Sequence, residues 1–308
     1  MPLLAGFVRD TCFPLRCLTS MCAGGIVDHM AIDDATVTVT QFTDPMCTWC
    51  WGSEPILRHL RTAYGDRLEL RFVMGGLIED FETFYDAAND IADPGDVAPH
   101  WLEASERHGM PVDTAIFDTD PAQSTYPASV AFAAARQQDP ALGHRYLRRL
   151  REAYATAVRN VNRRDEQVRL AETVGLDVDA FTTALDDGSA REAFEADLAR
   201  TRRADVRAFP TYLLAGPEGE RRLAGFQQFA DLSGAVQTVA PSLTPSSPPP
   251  IRSFVDRYAP LATQEVAEVY GMDRAAARQA LASLADDGAV RRDPRGNGVL
   301  WQATGGAD

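Results

Sequence analysis

The sequence contains no lysine, so all 30 basic residues of this 308-residue chain are arginine. Acidic residues number 44, which gives a formal net charge of −14. A surface of this charge repels phosphate backbones and anionic headgroups, which argues against nucleic-acid and membrane-surface binding. An acidic, lysine-free surface also resembles the proteins of salt-loving microbes, in which high salt screens charge-driven association further.

Long apolar runs are also missing. No stretch approaches the roughly 18 consecutive apolar residues of a membrane span, so we predict no transmembrane helix. Five cysteines are few for a disulfide-stapled scaffold. Cys12, Cys17 and Cys22 precede the first periodic segment, and together with His29 they lack a Cys-x-x-Cys pair, so we predict no zinc site there.

Residues 1–34 show no periodic pattern. Their apolar stretch precedes Arg9 and Arg16, the reverse of the order in a secretory signal. Two interpretations remain, a disordered tail or a gene model extended upstream of a start at Met30. We favour the second, because Met30 leads directly into the first predicted strand.

The strongest motif is Cys47-Thr48-Trp49-Cys50. It follows an alternating β-branched strand at 35–42 and precedes a helix at 54–64. A Cys-x-x-Cys placed where a strand turns into a helix is typical of a dithiol redox site. We expect the helix N-terminus to lower the pKa of Cys47, and Cys50 to lie close enough to attack a mixed disulfide formed on Cys47.

The pattern around this motif predicts an α/β fold. A second strand at 68–74 would complete a βαβ unit with parallel strands. The pattern from 79 to 205 is almost entirely helical, which predicts an insertion, and the sheet then resumes with strands at 208–214 and 222–226 around a turn at 216–219. The predicted insertion helices are 129–137, 141–158, 165–174, 177–185 and 190–202, and a last helix at 228–239 follows the sheet.

This order, with Phe209-Pro210-Thr211 entering a strand, resembles a thioredoxin-fold protein of the DsbA superfamily. The resemblance covers residues 36–240. The segment 44–52 (DPMCTWCWG), Glu54-Pro55 and 73–77 (VMGGL) resemble the intracellular branch that includes the FrnE-like and YjbH/SpxH-like proteins. The resemblance implies a cytoplasmic protein-disulfide oxidoreductase that acts on protein thiols and uses no cofactor or metal.

The resemblance also implies roles for individual residues. Cys47 corresponds to the exposed nucleophilic cysteine and Cys50 to the buried resolving one. Pro210 corresponds to a cis-proline opposite the site, and the alternative is an ordinary proline at a strand start. The other residues expected to bind substrate are Phe209, Thr211, Trp49 and Trp51. The alternative for the two tryptophans is that one of them packs in the core.

Two departures from the family pattern predict a milder dithiol. Many thioredoxin-fold enzymes carry a buried acid six residues before the first cysteine, and here that residue is Gln41, which cannot be a general base. Water or a different residue must then move the proton. The inner pair Thr48-Trp49 is uncharged, and Asp44 lies close by with the wrong sign for stabilising a thiolate.

A Pro/Ser-rich linker at 241–250 precedes a C-terminal segment at 251–303 whose helices and hairpin resemble a winged helix. We therefore predict a thioredoxin fold at 35–240 with an all-helical insertion, plus a small winged-helix-like α+β domain. DNA binding would use Arg274 and Arg278, with further arginines on the wing, Arg291, Arg292 and Arg295. The segment carries no basic excess, so we favour a protein-contact module.

Two functions follow. The first is a thiol–disulfide oxidoreductase acting through Cys47 and Cys50. The second is a redox-sensitive adaptor of the protease-adaptor type, in which the thioredoxin-like domain and the C-terminal module bind a regulatory protein partner. A DNA-binding redox regulator is a weaker third.

Overall fold

A four-stranded sheet with the order β2-β1-β3-β4 carries the dithiol segment in the computed structural model, which describes residues 36–304. Strand β1 (Val37–Thr43) lies parallel to β2 (Leu68–Met74) and antiparallel to β3 (Thr211–Gly216). The edge strand β4 (Gly219–Ala224) pairs with β3. The predicted parallel pair is confirmed.

The connection from β1 to β2 contains two consecutive helices. Helix α1 (Thr48–Gly52) holds the dithiol, and α2 (Glu54–Tyr64) follows after Ser53. Pro55 occupies the first turn of α2, where a missing N–H costs nothing. The apolar side chains of α2 pack on the sheet together with those of α10 (Phe229–Val239).

Seven α-helices lie between β2 and β3, in agreement with the predicted insertion, but the helical pattern expected from residue 79 begins only at residue 97, and the first two helices were not among those predicted. The segment 79–96 was predicted to be helical, and apart from a single 3-10 turn at Pro94–Asp96 it is a loop. Asp80, Asp86 and Asp93 each accept a hydrogen bond from the backbone N–H two residues later, so these side chains stabilise turns that compete with a helix. The helices are α3 (Val97–His108), α4 (Ile116–Thr119), α5 (Tyr126–Gln138), α6 (Pro140–Thr156), α7 (Arg164–Val174), α8 (Val178–Asp186) and α9 (Ser189–Arg203).

The returning hairpin is tighter than predicted. Gly216 pairs with Gly219, so only Pro217 and Glu218 form the turn, and β4 starts three residues earlier than expected. The strand β3 begins at Thr211 because the preceding residue is a proline without an N–H.

The C-terminal segment contains α11 (Ile251–Tyr258), β5 (Leu261–Ala262), α12 (Thr263–Tyr270), α13 (Arg274–Asp286), β6 (Val290–Arg295) and β7 (Gly298–Ala303). The three strands form a sheet with the order β5-β7-β6. A small core around Phe254, Val266 and Trp301 belongs to this segment, whereas Ala262 and Leu300 join the main core. The winged-helix assignment and the predicted domain boundaries stay predictions.

The predicted linker at 241–250 is mostly exposed, and it is tied to the elements on either side. Leu243 is buried, and the Ser246 N–H donates to the carbonyl of Ala63 at the end of α2 over 2.7 Å. The hydroxyl of Tyr270 donates to the Pro249 carbonyl, also over 2.7 Å. The predictions made for residues 1–34, including Cys12, Cys17, Cys22 and His29, concern residues outside the described range.

Candidate functional site: a buried dithiol over an arginine network

Cys47 and Cys50 come together at the start of α1, as the spacing predicted. Cys47 is the N-cap of the helix, and its Sγ accepts a hydrogen bond from the Cys50 N–H at 3.3 Å. Both cysteines are free thiols. Cys47 is 6% exposed and Cys50 is fully buried, so Cys47 is the sulfur nearer to solvent.

The loop before β3 lies opposite the dithiol. The Phe209–Pro210 peptide bond is cis, as the sequence predicted. The Phe209 carbonyl oxygen lies 3.8 Å from Cys47 Sγ and accepts a weak hydrogen bond from its thiol. Pro210 and Thr211 are buried, whereas Phe209 is half-buried beside Gly75, and a Cβ at position 75 would lie 1.9 Å from the Phe209 ring.

The two tryptophans of the motif have different environments. Trp49 is half-buried beside Cys47, and its ring contacts those of His108 and Phe226 at centroid distances of 5.8 and 5.6 Å. Trp51 is 1% exposed and donates a 2.8 Å hydrogen bond to the Pro111 carbonyl. The ring of Trp51 belongs to the core, so Trp51 does not contribute to a substrate-binding surface, and the alternative that one of the two tryptophans packs in the core applies to it.

His108, at the end of α3, was not predicted as a site residue. Its Nδ1 accepts a hydrogen bond from the Met110 N–H at 3.1 Å, so the proton of the neutral ring lies on Nε2, 3.4 Å from the Thr48 hydroxyl. Burial lowers the pKa of His108 to about 4, helped by the charge of Arg274. Gly52 allows this close approach, since a Cβ there would lie 2.5 Å from the imidazole.

Asp44 fixes the loop that precedes the dithiol. Its fully buried carboxyl group accepts hydrogen bonds from the N–H groups of Met46 and Leu77 and from the Thr125 hydroxyl, at 2.7 to 2.9 Å. Burial raises the pKa of Asp44. These bonds join the dithiol loop to the segment after β2 and to the start of α5, which makes Asp44 a structural residue of the site.

A buried arginine lies close to the dithiol, at the end of β1. Arg151, from α6, is 1% exposed and donates hydrogen bonds to the Thr43 hydroxyl and to Glu54 Oε1, and one of its nitrogens lies 3.5 Å from the amide oxygen of Gln41. Gln41 in turn donates to the Tyr212 hydroxyl at 3.1 Å. The position expected to carry an acid is thus occupied by an amide that faces a cation.

The electrostatics of the two sulfurs differ. Burial raises the pKa of the Cys47 thiol, the neighbouring Cys50 sulfur adds to this effect, and the charge of Asp44 contributes less. Burial opposes ionisation of Cys50 as well, but the Cys47 thiol, the charge of Arg151, the Thr43 hydroxyl and the Asp44 N–H together lower its pKa. The N–H of Cys50 at the start of the helix lowers the pKa of Cys47, as expected, but burial and the neighbouring Cys50 sulfur outweigh this effect.

Arg151 belongs to a network of ion pairs that reaches the C-terminal segment. Glu54 pairs with Arg151 at 2.5 Å and with Arg148 at 3.6 Å. Arg148 holds the fully buried Glu265 of α12 through two bonds of 2.8 and 2.9 Å, and Arg58 adds a third of 3.3 Å. Burial alone would raise the pKa of Glu54, but the charges of the three arginines hold it at about 2.

The β6–β7 turn contacts the insertion. The Asn297 N–H donates to the Val112 carbonyl at 3.0 Å, and the Asn297 side-chain oxygen accepts from the Val112 N–H at 2.8 Å. The side-chain amide of Asn297 also donates to the Ser105 hydroxyl at 3.0 Å. Gly296 has a φ of +48°, and a Cβ there would lie 2.0 Å from the Val112 carbonyl oxygen. The tip of the predicted wing therefore packs against the protein.

Residues 36–304 contain neither a metal centre nor a membrane-spanning helix. No group of His, Cys, Asp and Glu side chains in this range is arranged to hold a metal ion. No helix in the same range is long and apolar enough to cross a membrane.

The sheet order, the helical insertion between β2 and β3 and a Cys-x-x-Cys opposite a cis-proline define the chain as a thioredoxin-fold protein with a helical insertion. The thioredoxin family model matches residues 41–229. Two solved structures share the fold. A putative protein disulfide isomerase from Nitrosomonas europaea is 18% identical with a TM-score of 0.56, and 66% of this chain covers 97% of it. The cytosolic disulfide reductase DsbM from Pseudomonas aeruginosa is 23% identical with a TM-score of 0.50, and 65% of this chain covers 92% of it.

Sequence relatives extend beyond the thioredoxin segment. The ClpXP adapter protein SpxH of Halalkalibacterium halodurans is 30% identical over 266 residues, which cover 85% of this chain and 87% of the relative. The protein of the same name from Bacillus subtilis is 25% identical over 86% of this chain and 88% of the relative. The chain therefore belongs to the SpxH-like family of thioredoxin-fold proteins.

Proposed function

We propose that this chain is a protease adaptor that binds a regulatory protein and presents it to ClpXP. The observation that carries the proposal is the similarity to ClpXP adapter proteins over 85% of the chain, well beyond the 41–229 segment of the thioredoxin model. The adaptor function was the alternative interpretation of the sequence, and it now precedes the oxidoreductase.

The attachment of the C-terminal segment supports the adaptor function over the oxidoreductase function. An adaptor has to hold its binding surfaces in a fixed relation, and the Arg148–Glu265 bonds fix α12 against α2 and α6. Asn297 fixes the β6–β7 turn against the insertion. We propose that the segment is a winged-helix-like protein-contact module. A wing whose tip packs against its own chain is poorly placed to enter a DNA groove, and the acidic surface opposes DNA binding as well.

We propose the thiol–disulfide oxidoreductase as a second candidate, on the strength of the dithiol opposite the cis-proline. In this function Cys47 would attack a protein disulfide and Cys50 would resolve the mixed disulfide. Phe209, Pro210, Thr211 and Trp49 would shape the groove for the substrate strand. The low exposure of Cys47 and its raised pKa favour slow exchange, so that the dithiol acts as a sensor within the adaptor. Both functions place the protein in the cytoplasm.

One experiment separates the two candidates. Purified ClpXP and ATP are added to an extract of the host with and without the chain, and protein levels are followed by quantitative mass spectrometry. We expect the loss of one or a few proteins only when ClpXP, ATP and the chain are all present. Unchanged protein levels would contradict the adaptor function.

The dithiol is tested in parallel by insulin reduction. Wild type and Cys47→Ser are compared under identical conditions, with thioredoxin as the reference enzyme. We expect turnover far below that of thioredoxin in both proteins. Thioredoxin-like turnover that disappears in Cys47→Ser would reverse the order of the two candidates.

A further inference from the structure

A cavity of about 240 Å³ opens between the insertion and the C-terminal segment. One wall comes from residues 105–111, at the end of α3 and in the loop that follows it. The opposite wall comes from Thr263 of α12, the first turns of α13 and the β6–β7 hairpin. The bonds of Asn297 to Val112 and Ser105 cross from one wall to the other and hold them together.

Two arginines line this cavity without a negatively charged partner. Arg274 and Arg278 lie one turn apart on α13, and both side chains are exposed. Within residues 36–304, neither guanidinium forms an ion pair or a hydrogen bond. Glu106, the one acidic residue among the described residues that line the cavity, pairs with neither of them. Two guanidinium charges against one carboxylate leave the cavity with a net positive charge.

Thr263 adds a hydrogen-bond donor to the wall that carries the arginines. Its Oγ1 accepts a hydrogen bond from Trp301 Nε1 at 3.0 Å. A hydroxyl group also has one proton of its own, and in the described part of the chain that proton has no acceptor. Arg274, Arg278 and Thr263 thus all have protons to donate, which is the arrangement that an oxyanion requires.

The size and the charge of the cavity favour a carboxylate of a protein over other oxyanions. Small-molecule and cofactor sites measure roughly 300 to 1,000 Å³, so this smaller cavity is suited to one or two side chains. A guanidinium binds a carboxylate through two parallel hydrogen bonds. The net charge of −14 repels nucleic acid, which brings many phosphates at once. The rest of the surface repels an acidic protein segment as well, so the arginine pair would fix where such a segment docks.

We propose that this cavity is a docking site for an acidic segment of a partner protein, in which Arg274 and Arg278 each bind a carboxylate. Thr263 donates a further hydrogen bond to one of them. That the segment belongs to the regulatory protein presented to ClpXP rests on the adaptor function proposed above, whereas the binding chemistry does not depend on that function.

The cavity borders the surface beside the dithiol. Met110 lines the cavity, and its N–H donates to His108 Nδ1 at 3.1 Å. The imidazole of His108 contacts the ring of Trp49 at a centroid distance of 5.8 Å. A partner whose acidic segment is held in the cavity can therefore also contact Trp49, so that the C-terminal segment and the dithiol region bind the same protein.

The test is an NMR titration of the ¹⁵N-labelled full-length chain with a peptide probe. The probe is an acetylated and amidated peptide with two glutamates, Gly-Glu-Gly-Glu-Gly, and its uncharged twin has glutamine in their place. At low salt, where screening is weak, the first peptide should cause saturable shifts of the backbone N–H signals of Thr263, Arg274 and Arg278. The twin should bind at least about tenfold more weakly. Equal binding of the two peptides, or binding that leaves these three signals unchanged, overturns the proposal.

Arg274→Gln/Arg278→Gln should weaken binding of the glutamate peptide at least about tenfold, which corresponds to about 1.4 kcal/mol. If this double variant does not fold, the single variants decide, each with a loss of about threefold, half of that free energy. Arg291→Gln/Arg292→Gln is the matched control, because it removes the same charge from exposed positions of β6 that do not line the cavity. The control should bind like wild type. Equal weakening in the two double variants would mean general charge attraction and would contradict the proposal.

Two further probes test other occupants. Inorganic phosphate should displace the peptide less effectively than the same concentration of unlabelled peptide does, and a short DNA duplex should leave the three signals unchanged. Displacement by phosphate at an equal or lower concentration would assign the cavity to another ligand. DNA binding that disappears in Arg274→Gln/Arg278→Gln would do the same.

The ClpXP assay in the host extract tests whether the docking site serves presentation. Arg274→Gln/Arg278→Gln should slow the ClpXP-dependent loss by about the factor by which it weakens peptide binding, and the control variant should keep the wild-type rate. Loss at the wild-type rate in a variant that no longer binds the peptide would contradict the role in presentation. If the wild-type chain promotes no loss, the adaptor function fails on its own, and the peptide titration still decides whether the cavity binds an acidic segment.

Discussion

Arg148 and Glu265 join α6 of the insertion to α12 of the C-terminal segment through two hydrogen bonds of 2.8 and 2.9 Å between a guanidinium and a fully buried carboxylate. The other oxygen contacts of Glu265 are with Arg58 and with the N–H of Ala262. One carboxylate thus caps its own helix and neutralises two cations contributed by other helices. This pair therefore contributes to the attachment of the C-terminal segment, alongside the contacts of Asn297 and the buried side chains of Ala262 and Leu300.

Glu265→Gln should loosen that attachment. The change leaves Arg148 and Arg58 without their buried partner, and removing one member of a buried pair typically costs about 3 to 5 kcal/mol. Urea unfolding should show this loss of stability, and amide hydrogen exchange should increase in α12 and in β5.

Glu268→Gln is the matched control for that variant. Glu268 lies one turn along the same helix, and its carboxylate pairs with His59 at 3.3 Å in a more exposed position. Its replacement should cost less than about 1 kcal/mol. Equal effects of the two substitutions would show that Glu265 has no special role in the attachment.

Gly75→Ala should disturb the loop that covers Cys47. The new methyl group would lie 1.9 Å from the ring of Phe209, whose carbonyl oxygen contacts the thiol. Overpacking of this kind costs about 1 to 3 kcal/mol. We expect a lower melting temperature and faster alkylation of Cys47 by iodoacetamide, measured by mass spectrometry.

Gly234→Ala controls for the glycine substitution itself. Gly234 is an exposed position inside α10, and nothing lies within 4 Å of the place that an alanine Cβ would occupy there. Alanine should therefore leave Cys47 unchanged and stabilise the helix by up to about 1 kcal/mol. Alkylation of Cys47 at the wild-type rate in Gly75→Ala would mean that the Phe209 loop does not limit access to the sulfur.

The sequence predicted the parts of this site that depend on local patterns. Alternation defined β1 and β2, and the position of Cys47 and Cys50 between a strand and a helix placed the dithiol correctly. Phe209-Pro210-Thr211 pointed to the cis-proline through the family resemblance. These features are encoded within short segments, so a single chain without a structure was enough to find them.

The partners of the dithiol could not be predicted, because they come from distant elements. His108 reaches Thr48 from α3, and Arg151 reaches Thr43 from α6, more than 100 positions later in the sequence. One signal for Arg151 was present. It lies at helical spacing from Leu147 and Tyr154, both buried, so a charged residue interrupts the apolar face of α6. The burial of Trp51 depends on its contact with Pro111, which the motif does not encode.

Stability should fall as the pH decreases from about 6.5 to about 4. The pKa of His108 is lowered to about 4 by burial and the Arg274 charge, and that of His144 to about 4 by burial and the Arg61 charge. The unfolded chain therefore binds more protons than the folded one in this window. Each histidine should cost up to about 1.4 kcal/mol per pH unit, measured by urea unfolding at pH 7, 6 and 5.

His108→Gln and His144→Gln should each flatten this pH dependence, because each removes one group that has to stay neutral in the fold. Glu54, with a pKa held at about 2, loses its contribution only at lower pH. Asp44 acts in the opposite sense, since burial raises its pKa. A pH dependence that stays the same in both histidine variants would assign the effect to other groups.

Trp49→Ala and Trp51→Ala should have opposite consequences although the two residues lie two positions apart. Trp51 is a core side chain that donates to the Pro111 carbonyl and lies under the Arg148 guanidinium at 4.7 Å, so its truncation should cost about 3 to 5 kcal/mol. Trp49 is half-buried and contacts only the rings of His108 and Phe226 among the aromatic residues described, so its truncation should cost about 1 kcal/mol. Urea unfolding measures both values.

In the functional assays, Trp49→Ala should have the larger specific effect, although it costs less stability than Trp51→Ala. Because Trp49 stands between the two cysteines in the motif and is only half-buried, Trp49→Ala should weaken ClpXP-dependent loss of the bound protein in a fully folded chain, or insulin reduction if the dithiol is the active function. Trp51→Ala should reduce either readout only in proportion to the unfolded fraction. If Trp49→Ala keeps wild-type function in both assays, the surface around Cys47 is not the binding site, and the module face around Arg274 and Arg278 becomes the next surface to mutate.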